Sequence, residues 1–299
     1  MTKSLERTCW RGMRVDHPFE WELSRVSGLG EPGRCTFSDR FHQRLDLRWR
    51  PLKYVPNLEL MIEKYRPAKD EKTTVRRLDD GPEHWQGLVR RPKEGTVVHA
   101  IRFFVERRWL AEATIVWSGR RDVNLERTVL ESVQPQDTTG PQRQWRAMGI
   151  DVSIASQFEL HKSVAKVGRV TWRFRNADKP PVQLAVERIA MPEYWLDKPL
   201  ADWLAEQVPA KLECVREEPF IRNGHRGQQL FSEGRVAGLA GLRGIRQLRL
   251  DAAWLCPVEN RVYHMELSRQ GRQDAIAFDQ DLKVRCCTAV PAPAGEPMP

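Results

Sequence analysis

Two periodicities of apolar and polar residues follow one another along the chain, and the succession occurs twice. In the first half, Arg44-Leu45-Asp46-Leu47-Arg48-Trp49 alternates polar with apolar residues, which predicts a strand with one solvated face. The spacing then becomes helical: Leu58, Met61, Ile62 and Tyr65 fall at i, i+3, i+4 and i+7. Asn57 is the predicted N-cap of this helix, and Pro67 closes the segment.

The remaining elements of both halves follow from the same two patterns. In the first half we predict a final helix from Val123 to Val133 and strands over 12–16, 20–26, 33–38, 43–50, 73–78, 84–91, 97–107 and 109–118. In the second half the helical positions are Leu200, Trp203 and Leu204, behind Asp197 and closing at Pro209, and then Ala275, Phe278 and Leu282. The predicted class is α+β: in each half, an antiparallel sheet packed with two helices.

Short sequences recur between the two halves. Trp10-Arg11-Gly12-Met13-Arg14-Val15-Asp16 returns as Trp145-Arg146-Ala147-Met148-Gly149-Ile150-Asp151, and Gly33-Arg34-Cys35-Thr36-Phe37 returns as Gly168-Arg169-Val170-Thr171-Trp172. With small insertions the alignment extends to His84 with His225 and to Trp109 with Trp254. A period of this length indicates a tandem duplication of a domain. We predict a first repeat over 8–134, a linker over 135–143, a second repeat over 144–288 and a disordered tail over 289–299.

The order of elements resembles that of a known family. Short N-terminal strands, a helix, longer strands and a terminal helix, with Trp21-Glu22-Leu23 in an early strand, are similar to the PsbP-like α/β/α sandwich. The resemblance implies binding and assembly roles, and it offers no catalytic residues to carry over. A shared fold does not by itself assign a function.

Composition narrows the class of protein. The 299 residues are 40% hydrophobic and 30% charged, a globular balance, and no run approaches the roughly 18 apolar residues of a membrane span. The first residues lack the apolar stretch of a secretory signal, so a cytoplasmic location is expected. The six cysteines are irregularly spaced, which argues against a disulfide framework, a zinc site or any other metal or cofactor. Cys286 and Cys287 are read as buried thiols, with a thiol sensor as the alternative.

Common catalytic motifs are missing from the sequence. The glycine-rich run 234–244 lacks the ending of a phosphate-binding loop, so a hairpin loop is expected. His84 and His225 are binding candidates because they align between the repeats and histidine titrates near neutral pH. A histidine that caps a turn at the start of a strand is the favoured interpretation of both positions.

Arginine supplies 37 of the 49 basic residues, and its adjacent pairs concentrate in the first repeat. The candidate binding residues there are Arg76, Arg77, Arg90, Arg91, Arg107, Arg108, Trp109, Arg120 and Arg121. Arginines beside an aromatic ring suit phosphate, nucleic acid or an acidic protein surface. Solvated strand ends would explain the same residues without a partner.

The sequence thus predicts a non-enzymatic adaptor or assembly factor that binds another protein. One alternative is nucleic-acid or phosphorylated-ligand binding through the arginines of the first repeat. Another is an enzyme with an inter-domain site, in which His84 or His225 would act. The oligomeric state is left open.

Overall fold

The computed structural model describes residues 4–28, 30–67, 73–137, 139–272, 277–278 and 282–287. The chain divides into two compact units: the first contains 1–139 and 145–147, and the second contains 140–144 and 148–299. No helix among the described residues is long and apolar enough to cross a membrane. The predicted tail 289–299 lies outside the described residues.

The first unit is built on a seven-stranded antiparallel sheet. Its strands in chain order are β3 (Glu22–Val26), β4 (Gly33–Ser38), β5 (Gln43–Pro51), β6 (Thr74–Arg77), β7 (Gln86–Arg91), β8 (Thr96–Phe104) and β9 (Trp109–Trp117). In space they are ordered β3-β4-β5-β9-β8-β7-β6. The strand β1 (Leu5–Trp10) forms a hairpin with β2 (Met13–Pro18), and β10 (Gln134–Pro135) pairs with β2.

Two helices accompany the first sheet. Helix α1 (Leu58–Glu63) begins at Asn57, whose side chain accepts a hydrogen bond from Leu60 N, as predicted. Its Ile62 is fully buried against Leu88 and Ile101. Helix α2 (Val123–Ser132) confirms the predicted final helix of this repeat.

The second unit repeats this plan. The strand β11 (Gln142–Ala147) is divided between the two units. After β12 (Ile150–Ala155), the sheet of the second unit contains β13 (Glu159–Lys166), β14 (Arg169–Arg175), β15 (Gln183–Ala190), β16 (Glu213–Arg222), β17 (His225–Arg235), β18 (Arg246–Cys256) and β19 (Arg261–Gly271). The spatial order is β13-β14-β15-β19-β18-β17-β16. Helix α3 (Leu200–Glu206) buries Trp203 and Leu204 on Leu230 and Ala253. The chain also forms α4 (Leu239–Leu242) and β20 (Leu282–Arg285), which pairs with β12.

The two seven-stranded sheets share one strand order, the arrangement expected of a duplicated module. The recurring Gly-Arg-x-Thr sequence has a structural reason in each. Arg34 Nε lies 2.6 Å from Asp46 Oδ1, which also accepts from Thr36. In the second sheet Arg169 Nε donates to Glu187 Oε1 at 2.8 Å. The repeated residues therefore neutralise a buried carboxylate on the neighbouring strand.

The predicted α+β class is wrong, because the chain is mostly β. The helices are short, and the chain begins with a strand, β1, that the pattern missed. The predicted final helix of the second repeat also fails: Ala275 lies outside the described residues, Phe278 is in a bend and Leu282 begins β20. Apolar residues at steps of three and four fit a helix, but pairing with β12 makes Leu282–Arg285 a strand instead.

Two further expectations for the second repeat are also wrong. Asp197 does not cap α3, whose N-cap is Pro199 and which has no side-chain cap hydrogen bond. Trp109 and Trp254 do not occupy matching places, because Trp109 begins β9 whereas Trp254 lies in β18, the counterpart of β8. Residues 234–244 form the end of β17 and the four-residue α4 as well as loop.

Candidate functional site

The first unit exposes apolar side chains at one end of its sheet. Tyr54 and Val55, which are 80% and 71% exposed, lie in the connection between β5 and α1. Val105, which is 71% exposed, lies in the 3-10 turn Val105–Arg107 between β8 and β9. Leu52 N donates to Arg108 O at 2.8 Å, so the two connections are adjacent. We refer to Tyr54, Val55 and Val105 as the first exposed patch.

Basic residues flank the first exposed patch. Lys53 precedes Tyr54 and is exposed, and Arg108 follows the 3-10 turn with its side chain exposed. Arg108 has a φ of 53°, a left-handed conformation that ends the turn before β9. Glu106, next to Val105, is also exposed, but the two basic groups outnumber it, so the flank favours a partner that offers acidic groups around an apolar contact.

The second unit exposes apolar side chains at the corresponding end of its own sheet. Met191 and Tyr194, which follow β15, are 54% and 81% exposed, and Val258 in the β18–β19 turn is 75% exposed. Asn260 Nδ2 donates to Glu193 Oε1 at 3.0 Å, which joins the segment after β15 to this turn. We refer to Met191, Tyr194 and Val258 as the second exposed patch.

The recurrence of the patches distinguishes them from scattered surface residues. Tyr54 and Tyr194 both lie in the segment that leads from the third strand of the sheet to its first helix. The adjoining turn also ends alike in both units, with Arg108 at φ 53° and Asn260 at φ 53°. Single exposed apolar residues are normal, whereas grouped ones are typical of interaction surfaces.

The arginines predicted to bind a ligand are distributed over several elements of the first unit. Arg121 is buried, with bidentate pairing to Asp80 and contacts to Glu126. Arg76 donates to Asp80 at 3.0 Å. Arg77 pairs with Glu59 and Glu63, and Arg107 pairs with Asp137.

Four of the eight paired arginines therefore have carboxylate partners within the unit, which lowers the charge they can offer to a phosphate. Arg91 and Arg120 are exposed, Arg90 is half-buried at the end of β7, and Trp109 is half-buried. Arg108 lies beside the first exposed patch. No single site gathers all of these residues, and their binding role stays a prediction.

The two aligned histidines have different surroundings. The side chain of His84 is 66% exposed, and its Nε2 lies 3.6 Å from Glu83 Oε1. His225 is half-buried at the start of β17, and its Nε2 lies 3.2 Å from Cys287 Sγ. Only His225 belongs to a cluster of potential ligands in the described part of the chain.

That cluster consists of His225, Cys256, Cys286 and Cys287, and we refer to it as the thiol–imidazole cluster. One side-chain N or S atom of each residue lies within 4.8 Å of the others. Asn223 Nδ2 donates to Cys286 Sγ at 3.3 Å, and Trp254 Nε1 donates to the same sulfur at 3.4 Å.

The close packing of the cluster raises the pKa of two neighbouring thiols, Cys286 and Cys287. Burial, reinforced by the thiol of Cys256, raises the pKa of Cys286 above its usual range. Burial and the thiols of Cys256 and Cys286 raise the pKa of Cys287 to about 12. With no cation present both residues are neutral thiols at neutral pH, and they are poor nucleophiles as a result.

A second titratable group lies inside the sheet of the second unit. Arg249 donates through two nitrogens to Asp251, and His264 Nε2 lies 2.9 Å from Asp251 Oδ1. His264 Nδ1 lies 3.8 Å from Glu187 Oε2. Burial lowers the pKa of His264, but its hydrogen bonds to Asp251 and Glu187 outweigh burial and raise it. A ring held between two carboxylates fits a buried, charge-balanced network better than a general base.

Comparisons with known proteins do not assign a function to this chain. No family model and no curated protein matches the chain. Among solved structures, the Pseudomonas aeruginosa protein of unknown function PA94 is 16% identical, with a TM-score of 0.25, over 43% of this chain and 83% of that one. The apo immunity protein TplEi of the T6SS from Pseudomonas aeruginosa is 11% identical, with a TM-score of 0.39, over 94% and 97%. Neither name concerns PsbP-like domains, so that resemblance stays a prediction.

Sequence reasoning missed both the exposed patches and the thiol–imidazole cluster. Cys256 lies far from Cys286 and Cys287 in the sequence, and only strand pairing brings them together. The sequence did offer a signal for the cluster: His225 and the adjacent pair Cys286-Cys287 were each candidate residues, although nothing in the sequence connected them. For the patches, the signal was the presence of aromatic and apolar residues in segments predicted to be connections. These residues are Tyr54-Val55 and Tyr194-Trp195.

Proposed function

We propose that this protein is a non-enzymatic binding factor, of adaptor or assembly type, whose partner is another protein. The observation that carries the proposal is the recurrence of an exposed tyrosine, Tyr54 and Tyr194, beside an exposed valine at the same end of each sheet. Tyrosine is enriched at protein interfaces because its ring buries much apolar area while its hydroxyl stays hydrated.

The partner surface suited to the first exposed patch is apolar with an acidic rim. Lys53 and Arg108 stand beside Tyr54, Val55 and Val105, and charged rims steer association more than they add affinity. Four arginines of the first unit, Arg76, Arg77, Arg107 and Arg121, already pair with carboxylates, which favours this proposal over phosphate-driven binding to nucleic acid, since that needs many cationic contacts.

The test is capture of partners by the tagged full-length chain from a lysate of its own source, with and without nuclease. The binding variants are Tyr54→Ser with Val105→Ser, and Tyr194→Ser with Val258→Ser. Phe41, which is 76% exposed in the β4–β5 turn at the opposite end of β5, supplies the matched control Phe41→Ser. Leu242, which is 85% exposed, supplies Leu242→Ser in the second unit.

A protein retained in fixed proportion after nuclease, and reduced at least about tenfold by a patch variant but not by its control, supports the proposal. Such a tenfold loss corresponds to about 1.4 kcal/mol. Loss of the captured material on treatment with nuclease or moderate salt would instead support nucleic-acid binding through the arginines of the first unit. Equal capture of the partner by the patch variants and the control variants would show that the patches are not part of the binding surface.

A further inference from the structure

We propose that the second unit binds one zinc ion through the side chains of His225, Cys256, Cys286 and Cys287. The inference is independent of the proposed partner binding. It differs from the sequence-based expectation of no metal, because the four residues come together through the sheet and not through a local motif.

Strand pairing explains how these ligands meet. Gly227 is the register partner of Trp254 in the β17–β18 pair, and the same register places His225 opposite Cys256, the last residue of β18. Cys286 and Cys287 follow β20 directly. Three separate parts of the chain therefore contribute ligands to one point.

The distances fit a tetrahedral ion. All four ligand atoms lie within 4.8 Å of one another, and His225 Nε2 lies 3.2 Å from Cys287 Sγ. Zinc bonds of about 2.3 Å to sulfur and about 2.0 Å to nitrogen place tetrahedral ligands roughly 3.5 to 3.8 Å apart. Small rotations of the side chains would bring the whole set to that separation.

The donor atoms select the kind of metal. Thiolate and imidazole are soft or borderline ligands, which favour Zn²⁺ over Mg²⁺ or Ca²⁺. Four protein ligands leave no open position for water, which is the pattern of a structural site and not of a catalytic one.

Neighbouring donors support a thiolate at Cys286. The side-chain N–H groups of Asn223 and Trp254 both point to its sulfur, at 3.3 and 3.4 Å. Hydrogen bonds of this kind orient a metal ligand and offset the negative charge of a three-thiolate site. A neutral thiol in a hydrophobic core does not need two hydrogen-bond donors, whereas a thiolate is stabilised by them.

The experiment uses the full-length chain, purified with reductant, freed of metal with a chelator and then titrated with Co²⁺ and Zn²⁺. We expect about one equivalent of metal per chain, with the strong visible bands of tetrahedral cobalt and thiolate-to-cobalt charge transfer, bleached by zinc. His225→Ala and Cys287→Ser alter half-buried positions and are expected to fold. Each should weaken zinc binding by more than about 100-fold, since loss of an outer-shell partner alone costs 10–100-fold.

Cys214→Ser is the matched control, because Cys214 is an exposed cysteine of the same unit outside the cluster. It should bind cobalt and zinc as the wild-type chain does. A folded wild-type chain that binds no metal, or gives only the weak spectrum of octahedral cobalt, would overturn the proposal. A disulfide between any two of the three cluster cysteines in protein purified with reductant would overturn it as well.

Discussion

At the scale of single residues, buried carboxylates account for the clearest sequence repeat. Asp46 and Glu187 each lie inside a sheet and are matched by an arginine and a threonine on the adjacent strand. An unpaired charge in such a position would be strongly destabilising. The duplicated Gly-Arg-x-Thr sequence is therefore explained by stability, and no ligand is needed to account for it.

Glu187 gives a pH-dependent prediction. Burial raises its pKa, but hydrogen bonds from His264, Arg169 and Thr171 outweigh burial and lower the pKa from 4.5 to about 2. A carboxylate with a depressed pKa in the folded state contributes stability above its unfolded pKa and loses it as the pH falls. Between pH 5 and pH 3, the second unit should lose about 2 kcal/mol of unfolding free energy from this group.

The measurement is urea unfolding of wild type and Glu187→Gln at pH 7, 5 and 3. The variant should be less stable at pH 7 and should lose less stability on acidification. Glu206→Gln, which alters an exposed pair with Lys198, should leave the pH profile unchanged. Parallel profiles for wild type and Glu187→Gln would contradict the assigned pKa.

At the scale of elements, local signals were sufficient where a strand or helix depends on its own side chains. The alternation over 44–49 and the helical spacing behind Asn57 both correspond to observed elements, β5 and α1. The predictions failed where tertiary contacts determined the secondary structure. Leu282 was predicted to be helical, but it lies in a strand that pairs with β12. Propensity is a weak prior that tertiary pairing overrides.

Helix α2 provides a prediction at this scale. The side chain of Asp122 accepts a hydrogen bond from Leu125 N and so caps the helix. Asp122→Ala should lower the free energy of unfolding by about 1 kcal/mol, because a backbone N–H loses its partner. Asn124→Ala, an exposed change in the first turn of the same helix, should have little effect. The check is chemical denaturation of both variants, and equal losses would argue against the capping role.

At the scale of the molecule, the two units share one sheet arrangement but differ in the groups attached to it. Both units keep the strand order and an exposed tyrosine before the first helix. Only the second has the thiol–imidazole cluster: the part of the first unit that the structure describes contains Cys9 and Cys35, both buried in strands, with no grouping of metal-ligand side chains.

The zinc proposal predicts a local response to metal removal. Because a bound ion stabilises the segments that hold it, chelation should speed amide exchange near His225, near Cys256 and along β20. The seven strands of the first sheet should exchange at unchanged rates, since stability is lost locally. Hydrogen exchange followed by mass spectrometry measures both regions in one sample. Uniform acceleration, or none, would contradict a localised site.

The sequence by itself indicated a repeated module, most strands of the first half and the starts of α1 and α2, because these depend on short-range periodicity and on capping side chains. It could not determine the mostly β class, the pairing of the arginines or the meeting of His225 with three cysteines. Those features depend on which strands become neighbours and in which register, and register is set by packing of the whole sheet. That His225 lies beside Cys256, Cys286 and Cys287 was therefore decided by the tertiary structure around it.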